Sequence, residues 1–156
     1  MADATYQPKA YRKQGGDEYV VATGGYLRNQ GYDFNTQPTP TTKTVANTLT
    51  IAELLTKIID ATPTATGATA AYTLPTGTLC DAGATFETND SFDWILINNA
   101  LAAADTITVT AGTDHTIVGN PVVQSLHAST GATMGYSAMF RTRKSAANTF
   151  ITYRIA

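Results

Sequence analysis

The stretch whose reading decides the fold is FDWILIN, Phe92–Asn98, together with TITVTA, Thr106–Ala111. The first is a short, largely apolar run rich in strand-favouring residues and bounded by polar turn residues, and it reads as a central strand. The second alternates Thr with Ile107 and Val109, the period of two that belongs to a strand with one buried face. Working outward, strands are predicted at AYTLPT (Ala71–Thr76), TIVG (Thr116–Gly119) and TFITYRI (Thr149–Ile155), and from Ala132 to Arg143, where Met134, Tyr136, Ala138 and Phe140 share a face. Gly, Asn and Asp turns separate these runs, and no helices alternate with them. The pattern predicts a mainly β domain, an antiparallel β-sandwich or jelly-roll-like barrel, and not βαβ units.

Upstream of the strands one short helix is signalled. Thr50 and Glu53 have capping-box spacing, and Ile51, Leu54, Leu55, Ile58 and Ile59 fall on one face of a helix near 51–60 that stops before Pro63. Before it, QPTPTTKT (Gln37–Thr44) reads as an extended linker, because Pro38 and Pro40 fix φ and discourage helix before them. The chain therefore divides into an extended N-terminal arm and linker, 1–44, and a β-domain, 45–156. The arm spaces Tyr6, Tyr11, Tyr19, Tyr26, Tyr32 and Phe34 among glycines, with a single strand-like run at Glu18–Thr23. A segment so poor in aliphatics cannot by itself offset an ordering cost of about 1–2 kcal/mol per residue, so residues 1 to about 35 are expected to gain order on a partner surface.

Composition points the same way. Charged residues are 14% of the 156, against about 25% in an ordinary domain, and threonine supplies about a fifth. With a net charge of -2, little repulsion keeps copies apart, which suits a protein built to associate. The few charges are segregated: 45–140 holds Lys57 against eight acids, whereas Arg141, Arg143, Lys144 and Arg154 close the chain. The basic ends are expected to face an acidic surface. The longest apolar run, Trp94–Ile97, cannot span a membrane, and the absence of a leader-like segment predicts a soluble protein not secreted by a standard signal.

The inventory for chemistry is thin. His115 follows a turn and His127 lies in QSLHAST; neither has a second histidine at metal-ligand spacing, and both are expected on the surface. Cys80 stands alone, which excludes an intrachain disulfide and a paired-CxxC zinc site, and with no basic neighbour it reads as a buried, inert thiol. Glu87, Asp90 and Asp93 could offer oxygen ligands to Ca²⁺, but their spacing fits no EF-hand loop and reads as a solvated turn. Phosphate-loop, dinucleotide and nucleophile-elbow motifs are absent. Aromatics and basics interleave in TYQPKAYRKQ, yet a pI near 5.5 argues against nucleic acid. No catalytic residue, cofactor or metal is assigned, and alanine at His115, His127 or Cys80 is expected to cost no more than packing.

Taken in order, AYTLPTGTLCDAGATF, FDWILINN, DTITVTAGTDHTIVGN, GATMGYSAMFRTR and TFITYRI resemble the β-domain of tailed-bacteriophage head decoration (cement) and head fibre proteins. YRKQGGDEYVVATGG likewise resembles segments of phage head and fibre proteins. The resemblance implies a homotrimer on the capsid exterior, made in the host bacterial cytoplasm, whose partner is the major capsid protein, with no nucleic acid or membrane contact. It carries no catalytic residue. The arm residues expected to touch the capsid are Tyr6, Tyr11, Arg12, Lys13, Tyr19, Tyr26 and Arg28, aromatic and arginine anchors of the kind enriched at interfaces. The alternative within the same resemblance is a trimeric head or tail fibre segment that binds a receptor glycan weakly through exposed aromatics.

Overall fold

A computed structural model describes residues 10–12, 15, 19–22, 25–26, 30–32, 34–63, 69–100, 105–125 and 136–156. The chain separates into two units, Met1–Thr36 and Gln37–Ala156. In the first, β1 (Ala10–Arg12) and β2 (Tyr19–Val21) form an antiparallel ribbon in which Tyr11 pairs with Val20 and Arg12 with Tyr19.

The second unit opens with β3 (Thr41–Lys43) and β4 (Asn47–Thr48), followed by α1 (Ile51–Leu54), β5 (Ile58–Ala61) and β6 (Thr69–Thr73). Next come α2 (Gly77–Gly83), β7 (Ser91–Asn98), β8 (Thr106–Thr110) and β9 (His115–Val118). The chain ends with β10 (Val122–Val123), β11 (Tyr136–Ala146) and β12 (Thr149–Arg154). Two sheets result, one ordered β3-β5-β7-β11-β12-β9 and the other β10-β8-β6-β4. The fold is mainly β and sandwich-like, with FDWILIN inside the larger sheet as its apolar run required.

Three expectations are corrected. The sheets are mixed, not antiparallel: β3·β5, β5·β7, β4·β6, β6·β8 and β12·β9 run parallel. From β3 to β8 successive strands alternate between the two sheets, so neighbours within a sheet are two strands apart in sequence and run the same way. This departs from the all-antiparallel wiring of a jelly roll. Second, Gln37–Thr44 is no linker: Thr41–Lys43 is an edge strand paired with β5, which moves the boundary from 44 to 36.

Third, the helix expected near 51–60 lasts one turn. The capping box forms as its spacing required, with Glu53 N donating to Thr50 Oγ1 (3.2 Å) and Thr50 N donating to Glu53 Oε2 (2.8 Å). Thr56 Oγ1 then donates to Glu53 O, Lys57 adopts a positive φ of 67°, and Ile58 and Ile59 enter a strand between β3 and β7. β-branched residues fit a pleated surface better than a helix, and here two strands stand ready to pair with them. A second helix, α2, occupies a stretch that had no helical period. Thr76 caps it by accepting from Leu79 N. Gly77 is required because a Cβ there would lie 1.8 Å from Asn148 O.

The core between the sheets holds Trp94, Leu96, Phe140 and Phe150 of the larger sheet, Tyr72, Ile107 and Val109 of the smaller, and Leu54 and Cys80 of the helices. Trp94 stacks on Phe140 with ring centroids 4.6 Å apart. Tyr72 is fully buried, and its hydroxyl has no hydrogen-bond partner among the described residues. Removing that hydroxyl takes away an unsatisfied buried dipole at little loss of packing. Tyr72→Phe is therefore expected to stabilise by about 1 kcal/mol, or about 2–4 °C in a thermal melt. A lower melting temperature would mean that the hydroxyl has a partner.

Candidate functional site

The N-terminal unit concentrates exposed aromatic surface. Residues paired across an antiparallel ribbon share a face, so Tyr11 projects on one side and Tyr19 on the other, and both are exposed. Tyr26 is exposed as well, and Tyr32 and Phe34 are 92% and 90% exposed with rings 6.2 Å apart. A two-stranded ribbon is marginally stable in water, and large rings left in solvent gain most from a partner. Of the arm residues singled out from sequence, Tyr11, Tyr19 and Tyr26 are described and exposed. Arg12 is placed by its backbone in β1, and Tyr6, Lys13 and Arg28 lie outside the described residues. Tyr32 and Phe34, which the arm also contains but which were not among the expected contacts, are the most exposed rings among the described residues.

The C-terminal cations do not await an acidic surface; they are engaged within the fold. Arg141 donates twice to Asp93, at 2.6 and 2.7 Å, and Arg143 donates to Asn89 Oδ1 at 2.6 Å. Lys144 Nζ lies 2.7 Å from Asp81 Oδ1 and donates to Phe86 O, while Arg154 donates to the Asn120 and Val122 carbonyls. These partners hold the Asp93 and Asp81 carboxyls below the usual range, through Arg141 for the first and through Lys144 and the Asn148 amide for the second. Asp90 accepts from Glu87 N at 2.8 Å, so the acidic stretch forms a turn and an ion pair. Among the described residues no three His, Cys, Asp or Glu side chains gather as metal ligands.

Two depressions among the described residues of the second unit are well defined. One, of about 520 Å³, is open and runs along Asp81–Phe86 beside Lys144, whose charges already satisfy each other. The other, of about 250 Å³, is apolar and lies between Leu49, Ile51, Pro75 and Leu79. Cys80 is buried as expected. Burial first, and the Asp81 charge second, push its thiol up to about 11, so it is protonated at neutral pH.

His115 overturns its surface expectation. It is buried and ends a chain of hydrogen bonds across four elements. Pro75 O can only accept, so the contact at 3.1 Å makes Nδ1 the donor and leaves Nε2 to accept from Thr152 Oγ1 at 2.7 Å. Thr142 then donates to Thr152 at 2.8 Å, and Trp94 Nε1 donates to Thr142 at 3.0 Å. Every donor has one acceptor, provided the imidazole is neutral. His127 lies outside the described residues.

Burial lowers the His115 pKa below 6.5, against a smaller opposing effect of the Pro75 carbonyl. Below pH 6.5 the unfolded chain therefore binds more protons than the folded one. The stability from neutral His115 is complete above that pH and is lost as pH falls toward the folded value, by at most about 1.4 kcal/mol per pH unit. Urea melts at pH 7.5 and 5.5 are expected to show this loss in the wild type and a smaller one in His115→Gln. Equal losses would contradict the assignment.

Comparison of the chain with family models, curated proteins and solved structures finds no match.

Proposed function

We infer that this chain is a structural protein of a bacteriophage virion, a homotrimeric capsid decoration protein whose N-terminal unit grips neighbouring major capsid subunits from outside. The observation that carries the reading is the set of exposed aromatics, Tyr11, Tyr19, Tyr26, Tyr32 and Phe34, within a unit of its own. Rings of this size bring about 150–250 Å² each with few rotors to freeze, which is the make-up of an anchor. The likeness of the β-strand sequences to head decoration proteins and the sparse charge of the chain support the same reading. The mechanism is mechanical: a bound copy adds buried area across a seam between capsid subunits, and opening the shell then requires releasing that copy too.

The glycan-binding fibre reading cannot draw on Trp94, which is fully buried against Phe140, and would rest on the same exposed rings of the N-terminal unit. No catalytic step belongs to the proposed role. Purified protein mixed with capsids that lack it is expected to co-sediment saturably and to raise the temperature at which they open. Absence of saturable binding would refute the role.

A further inference from the structure

The pairing registers make both outer faces of the second unit legible, because paired residues share a face and successive residues alternate. On the larger sheet Ile59, Leu96 and Phe140 point into the core. The opposite face therefore carries Ile58, Ile95, Ile97, Met139, Ile151 and Tyr153, contributed by four adjacent strands. None of the six is buried; each keeps part of its surface in solvent. Val118, 47% exposed and paired with Tyr153, extends the patch to the β9 edge, and Ile155, 49% exposed, lies beside Met139, whose carbonyl accepts from its N–H.

The outer face of the smaller sheet has the opposite character. It presents Thr69, Thr73, Thr106, Thr108 and Thr110, paired by register, with hydroxyls 3.1 Å apart at Thr69–Thr106 and 2.9 Å at Thr73–Thr110. Threonine keeps the branched shape that strands favour and turns a hydroxyl to water. One chain thus places mostly Thr at the outward positions of one sheet, whereas on the other Ile, Met and Tyr share the outward positions with Thr42, Asp60, Ser91, Asp93, Thr116, Ser137, Arg141 and Arg143. A cluster of large apolar side chains with an internally paired charge among them has the make-up of an interaction surface.

The geometry points to a second copy of this chain as what covers the larger sheet, a surface-level statement of the oligomer in the proposed function and resting on that part of it. The ionisable side chains on these strands' outward positions are Asp60, Asp93, Arg141 and Arg143, two acids and two bases, and Asp93 and Arg141 neutralise each other in a doubly hydrogen-bonded pair. A face without net charge selects neither an acidic nor a basic partner and is compatible with itself. The six strands hold 3, 4, 8, 11, 6 and 4 residues, and at about 4.8 Å between strands and about 3.4 Å per residue they give the face an area of roughly 600 Å². That is the same order as the about 800 Å² per partner of a stable interface. In a threefold assembly each copy turns this face to the axis, so that its two flanks meet two neighbours.

Light scattering of the full chain at micromolar concentration is expected to give a multiple of 16.5 kDa. Ile95→Lys, which puts a charge at the middle of the face, should weaken self-association at least about thirtyfold, whereas Thr108→Lys on the threonine face should not. Far-ultraviolet circular dichroism shows whether each variant is folded. Should Ile95→Lys not fold, Met139→Cys provides the second test, since it is expected to give covalent oligomers with a short bismaleimide where Thr108→Cys gives none; Cys80 is buried. A monomeric wild type, an undisturbed Ile95→Lys oligomer, or equal cross-linking of both cysteine variants would overturn the inference. So would an oligomer lost on removal of residues 1–36, which would place the contact in the N-terminal unit. An oligomer broken by Ile95→Lys in a protein that never binds capsids would uphold the face and refute the decoration role alone.

Discussion

Deleting residues 1–36 is expected to abolish capsid binding while leaving the second unit folded. Among the described residues the buried core begins at Leu49 and lies within Gln37–Ala156, so the truncated chain keeps that core. Its melting temperature should stay within about 2 °C of the full chain, since surface changes away from packed features cost little. Binding should fall far more. Aromatic anchors at the centre of an interface cost about 2 kcal/mol or more each when truncated, so losing several weakens binding at least a thousandfold. Co-sedimentation with undecorated capsids reads the first effect and a thermal melt the second. If the truncated protein decorates as tightly as the full chain, the β unit docks directly and the N-terminal unit serves some other purpose.

Trp94→Ala is expected to produce the largest loss of stability from a single substitution. The indole is fully buried, stacks on Phe140 and starts the hydrogen-bond chain that ends at Pro75. Large-to-small truncation of a buried aromatic costs about 3–5 kcal/mol through lost transfer energy and the cavity left behind. Against a total stability of about 5–15 kcal/mol this removes a large share, and melting should drop by about 6 °C or more. Trp94→Phe keeps an aromatic ring against Phe140 while removing the donor to Thr142 and the pyrrole half of the indole, so it should cost less than the alanine variant. Equal melting of the alanine variant and the wild type would contradict the placement of Trp94 at the centre of the core.

Much of this was legible in sequence. The alternation in TITVT identified a strand and its buried face, the apolar run in FDWILIN identified a strand inside a sheet, and Ala138 and Phe140 are buried where the period of two places them. Pairing direction was not legible, because alternation says which side chains face inward and is silent on which strand lies alongside. Ile58 and Ile59 satisfied a helical spacing and yet form strand β5, since partners distant in sequence outweighed a one-turn local signal. His115 read as a surface residue because its neighbours Asp114 and Thr113 are turn residues. Its acceptor and donor, Pro75 and Thr152, are about forty positions away on either side. The cations of the last strands were visible as a cluster, but their partners Asp93, Asp81 and Asn89 were brought to them only by the β7–β11 pairing and the packing of α2. The rings of the N-terminal stretch were visible in composition, and the exposure of Tyr11, Tyr19, Tyr26, Tyr32 and Phe34 was not.

The most direct test of the proposed decoration role is to look for this chain in purified tailed-phage virions and to count its copies by gel densitometry against the major capsid protein. Hundreds of copies per particle, released together with loss of shell stability, are expected of a decoration protein. Absence from the particle, or a count of tens or fewer, would contradict it.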